Sequence, residues 1–129
     1  MSESIKHECG IALLRLLKPV DYYHKKYGTS SYGLNKMYLL MEKQHNRGQD
    51  GVGLANIKLD VKVGQRYISR KRSVAPNPLQ DLFQHINTRF FELQKNDPEK
   101  LQNPKWMKEN LPFTGELFLG HLRYGTFGG

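Results

Sequence analysis

The chain has 129 residues, enough for one ordinary domain, and its 38% apolar residues suffice for a lean core. Charged residues make up 25%, a globular share that argues against wholesale disorder, and no apolar run of about 18 residues exists to span a membrane. The net charge of +8 leaves nucleic acid, an anionic surface or phosphorylated substrates open as partners, while the single cysteine excludes an internal disulfide.

The polar start, MSESIKHE, lacks the order of basic, apolar and small residues that an export signal needs, so a cytoplasmic protein is expected. Gly10–Leu17 is a short apolar run of buried-strand length. Lys18–Ser31, rich in tyrosine and broken by Pro19 and Gly28, reads as a loop. Helical spacing then sets Leu34, Met37, Leu40 and Met41 on one side of a helix from Gly33 to about Gln44. Asn46–Gly48 supplies turn residues, Val52–Leu59 alternates as a strand, and Gly64 turns the chain into a second strand over Gln65–Lys71.

The clearest helix follows Pro76 and Pro78. There Leu79, Leu82, Phe83, Ile86, Phe90 and Leu93 form one apolar stripe, which reads as a core face rather than a partner-binding face. Asn96–Pro112 is a polar loop with a short helical turn near Trp106, and Gly115–Tyr124 reads as a strand. The basic group Arg66, Arg70, Lys71 and Arg72, with Tyr67 among it, has two readings. It is a solvated strand edge whose charges discourage edge-to-edge pairing, or part of a nucleic-acid surface, and the first is the better supported. Because the sequence stops at Gly128-Gly129 just after a strand-like segment, the chain reads as a fragment.

On position alone, Cys9 reads as a small buried hydrophobe. Its place in a longer pattern suggests otherwise. Cys9-Gly10-Ile11 is followed by Gln44-His45-Asn46-Arg47-Gly48-Gln49-Asp50-Gly51 and then by Gly120-His121-Leu122-Arg123-Tyr124-Gly125-Thr126. Three motifs in this order, with a helix before the second and a strand carrying the third, resemble the N-terminal glutaminase domain of the class II glutamine amidotransferases. Glutamine at position 49 is similar to the amidophosphoribosyltransferase branch. Glu8-Cys9 fits as well, since some members carry a short propeptide ending in glutamate.

The resemblance implies an α+β protein, the N-terminal fragment of an Ntn-hydrolase four-layer αββα sandwich with antiparallel sheets. Residues 1–8 would be a propeptide-like segment and residues 9–129 a partial amidotransferase domain, cut short at its C-terminus. It implies Cys9 as the catalytic nucleophile, Arg123 and Thr126 as the holders of the substrate glutamine's α-carboxylate, and Arg47 and Gly48 as the supporting turn. Asp50 reads as a turn residue, and His45 and His121 as structural rather than as bases or metal ligands. The oxyanion hole and the phosphoribosyltransferase domain, with its Mg2+ site, would lie beyond Gly129. No cofactor is therefore expected in this chain, and alone it is expected to be inactive.

The partners implied are glutamine and, through the missing domain, phosphoribosyl pyrophosphate, which would receive ammonia to form phosphoribosylamine in purine synthesis. No nucleic acid and no membrane are expected, and open sheet edges predict self-association into a homo-oligomer. Two alternatives stand beside this reading. One is another class II amidotransferase, of the hexosamine-phosphate type, and the other a basic nucleic-acid-binding module with Cys9 buried. The stretches Pro19–Tyr32 and Asn96–Pro112 are longer than the family pattern and read as surface insertions.

Overall fold

The structure, a computed structural model, describes residues 10–44 and 49–124. Four strands form one antiparallel sheet: β1 (Gly10–Arg15), β2 (Gln49–Ile57), β3 (Ile68–Ser73) and β4 (Leu117–Tyr124), in the order β1-β4-β2-β3. Four helices accompany it: α1 (Val20–Tyr27), α2 (Tyr32–Lys43), α3 (Pro78–Asn96) and α4 (Pro104–Asn110). The protein is thus α+β. No helix among the described residues is long and apolar enough to cross a membrane.

Period-two alternation decides which side of the sheet is covered. Along one face lie Ala12 opposite Gly120, Leu14 opposite Phe118, and Val52 and Leu54 opposite Leu122 and Gly120. α2 packs on β1 and β4 and α3 on β2 and β3. Together they bury Leu34, Met37, Met41, Leu79, Leu82, Phe83 and Ile86 against that face. The stripe of α3 is therefore core: Leu79, Leu82, Phe83 and Ile86 are buried and Phe90 packs half-buried against them. The opposite face carries Ile11 and Leu13, each 65% exposed, beside exposed Leu119 and Ile68, and no described element covers it.

Three segments differ from the expectation. The supposed loop Lys18–Ser31 contains α1, because Pro19 and Gly28 bracket a helix instead of breaking one. Pro19 occupies the position before the first turn, where its missing N–H costs nothing, and Gly28 caps the end at φ +79°. Asp21 in the first turn and His24, Lys25 and Lys26 in the last complement the helix dipole. Asn96–Pro112 likewise holds a 3-10 turn (Pro98–Gln102) and α4, whose Asn103 Oδ1 accepts from the Trp106 N–H at 3.0 Å. The two longer-than-expected stretches meet, since α1 packs on α4. Finally, β3 starts at Ile68 rather than Gln65, leaving Gln65 to donate from Nε2 to the Glu109 carbonyl at 3.1 Å.

Buried charge ties the strand ends to α4. The Glu116 side chain accepts from the Leu59 N–H (2.9 Å) and from Lys108 Nζ (2.8 Å), and Lys108 also donates to the Leu59 carbonyl. The Leu16 N–H donates to the Glu116 carbonyl at 2.8 Å, so one residue joins the ends of β1, β2 and α4 to the start of β4.

Candidate functional site

Sequence motifs far apart in the chain converge at one end of the sheet. Gly10, which follows Cys9, pairs with Leu122, which precedes Arg123; Arg123 in turn pairs with Gly51, and Gln49 with Tyr124. A register irregularity between Gln49 and Gly51 marks the entry to β2, a device that re-aims backbone beside functional sites. The alternation that buries Leu122 leaves Arg123 and His121 exposed on the uncovered face, with Ile11 and Gly53 across from His121. Cys9, Arg47, Gly48 and Thr126 lie outside the described residues, as does His45.

The first residue of the second motif, at the end of α2, completes this corner. Gln44, just past α2, donates from Nε2 to the Ile11 carbonyl at 3.1 Å. A Cβ on Gly10 would sit 2.5 Å from Gln44 Oε1 and 3.5 Å from Leu122 Cδ1, so the side chain of Gln44 fills the space that glycine leaves. Its signal in the sequence is its place at the head of the second motif, Gln44–Gly51. The end of α2 is thereby fastened to the first residues of β1.

Chemically, an exposed guanidinium at a strand end can take a carboxylate through two parallel hydrogen bonds. Beside it a groove of about 640 Å³ runs over the uncovered face, lined by Gly53, Ala55, Arg70, Arg72, Leu119 and His121. It is open and carries no carboxylate among those residues, which suits an anionic or neutral polar guest better than a cation. No group of three or more His, Cys, Asp or Glu placed to hold a metal ion occurs among the described residues.

The electrostatic outlier lies elsewhere. Lys58, just past the far end of β2, is only 6% exposed, and burial together with nearby Lys108 and Arg66 pushes its ammonium below the ordinary lysine value, against the pull of Glu116. A folded-state value lowered in this way means that the unfolded chain holds the extra proton between that value and 10.5, so stability rises with pH across the interval. Lys58→Met is accordingly expected to raise the unfolding free energy at pH 7 by roughly 1 kcal/mol. The gain should fade as pH approaches the ordinary lysine value. Urea titrations of both proteins at neutral and alkaline pH check this, and a gain that does not shrink with pH would contradict it.

Comparisons of the chain with protein-family models, with curated proteins and with solved structures found no match.

Proposed function

We propose that the chain carries the glutaminase chemistry of a class II glutamine amidotransferase of the amidophosphoribosyltransferase type, with Cys9 as its nucleophile. The supporting observation is the convergence of Gly10, Gln49–Gly51 and Leu122–Tyr124 on one end of one sheet. Each comes from a different one of the three motifs. A second observation favours the sandwich expected of such an enzyme. Helices cover one face of the sheet, and the other presents Ile11, Leu13 and Leu119 as a second sheet would require.

In this reading, removal of Met1–Glu8 frees the α-amino group of Cys9. That amine has an ordinary pKa of about 7.7–8.0 and accepts the thiol proton at neutral pH. The thiolate attacks the side-chain amide carbon of glutamine, an Sγ–C bond forms, and ammonia leaves with a proton returned by the amine. Water then cleaves the thioester and releases glutamate. Arg123 holds the α-carboxylate of the substrate, with Thr126 beside it, and Arg47 and Gly48 shape the turn next to the nucleophile. In the full-length parent the ammonia passes to phosphoribosyl pyrophosphate in a second domain.

Intact mass of that parent, wild type beside Cys9→Ala, tests the proposal. Loss of Met1–Glu8 in the wild type alone, with glutamate release that the substitution lowers at least ~10³-fold, is the expected result. An unprocessed wild type, or glutaminase activity that survives Cys9→Ala, would overturn it.

A further inference from the structure

Edge protection accounts for Arg70, Lys71 and Arg72, since β3 is an outer strand of the sheet and exposed cations discourage another strand from adding to it. It does not account for Lys58. That residue lies on β2's side of the fold, is buried, and lines a pocket of about 360 Å³ together with Arg66, Arg70, Lys71 and Arg89. Among the described residues none of these five side chains forms an ion pair, and Lys58 Nζ has no hydrogen-bond partner. The one carboxylate close enough to help Lys58, that of Glu116, is bound to Lys108 at 2.8 Å. The pocket's own acidic residue, Glu109, is exposed. The stem of Lys58 is buried while its ammonium reaches the pocket, where one further anion would meet an unpaired cation.

We propose that this pocket, formed by β3, α3 and the segment after α4, binds a small phosphorylated molecule through a phosphate or diphosphate group. Three arginines and two lysines suit a multiply charged oxyanion, because guanidinium forks match its oxygens and the ammonium groups supply charge. The volume falls at the lower end of the range for small-molecule sites, about 300–1,000 Å³. A nucleic-acid strand fits less well. It would need exposed aromatic faces along a basic track, and the only aromatic residue lining the pocket is Phe113, which is buried. The pocket lies at the end of β2 opposite Gln49–Gly51, so it is separate from the proposed glutaminase corner and stands or falls independently of it.

Inorganic pyrophosphate is the probe, titrated calorimetrically into the full chain at fixed ionic strength, with inorganic phosphate and a single-stranded oligonucleotide in parallel. Saturable one-site pyrophosphate binding is expected, tighter than phosphate. Lys58→Met and Arg89→Gln should each weaken it about tenfold, whereas Lys25→Gln on α1 should leave it unchanged. Arg89 is exposed, so its variant tests the pocket without disturbing buried structure. Pyrophosphate binding that is indifferent to both substitutions, or heats reproduced by sodium chloride of equal ionic strength, would overturn the proposal. So would an oligonucleotide that binds with a steep salt dependence while pyrophosphate does not bind.

Discussion

Replacing Glu116 by alanine is expected to cost the protein about 3–5 kcal/mol of unfolding free energy. The residue is 3% exposed and its two oxygens accept separately, one from the Leu59 N–H and one from Lys108 Nζ. Truncation leaves the mostly buried Lys108 ammonium with only the Leu59 carbonyl as acceptor and the part-buried Leu59 N–H with none. The graded comparison is Glu116→Gln. Its amide oxygen can still accept from Leu59, so it should lose clearly less than alanine while still losing the charge opposite Lys108. Urea denaturation of the three proteins decides the matter. Equal losses for alanine and glutamine would mean that the backbone bond contributes nothing, and a loss below about 1 kcal/mol for alanine would remove the buried pair from any account of stability. Since domains of this size are stable by only about 5–15 kcal/mol, the alanine variant should sit near the limit of folding.

The second large effect is expected at Phe118, which is 1% exposed and stands near the start of β4. Phe118→Ala should destabilise by about 3–5 kcal/mol, combining lost transfer energy with the cavity left between the sheet and α2. The neighbouring glycine makes the prediction sharper. A Cβ at Gly33 would lie 2.5 Å from Phe118 Cε2, so Gly33→Ala must push the ring aside and should destabilise the wild type. In the Phe118→Ala background that obstruction is gone. Alanine then fills part of the cavity and brings its better helix propensity, worth about 1 kcal/mol. The same substitution should therefore change sign between the two backgrounds. An equal cost in both would show that the two residues do not share the space the geometry assigns them.

How much of this was legible in the sequence differed by element. The long stripe from Leu79 to Leu93 could hardly mean anything but a helix, and the alternation around Val52 and Leu54 fixed a strand and its buried face. Pro19 and Gly28 misled because proline and glycine both break and bound helices, and eight intervening residues give too little periodicity to choose. The ends of β3 are hard to place from sequence because an edge strand pairs on one side only, and its exposed residues carry no alternation. For the candidate corner, the three motifs were plain, but the bond from Gln44 to the Ile11 carbonyl spans 33 positions and leaves no local trace. Lys58 was still less visible. Between Ile57 and Leu59 it looks like an ordinary polar strand residue, and the pocket it lines is shared with Leu111–Phe113 from the other half of the chain.

The strand order also sets a schedule for synthesis on the ribosome. Among the described residues β1 pairs with β4 alone, with Gly10 against Leu122, and β4 is the last of the described strands to leave the tunnel. At elongation rates of about 5–20 residues per second, the nascent chain holds an unpaired apolar strand for on the order of ten seconds. For that interval only β2 and β3 can pair, because they alone are joined by a short connection. β4, an inner strand, joins β1 to the β2–β3 pair in a single late step, so nascent chains of this protein should be clients of ribosome-associated chaperones until β4 emerges.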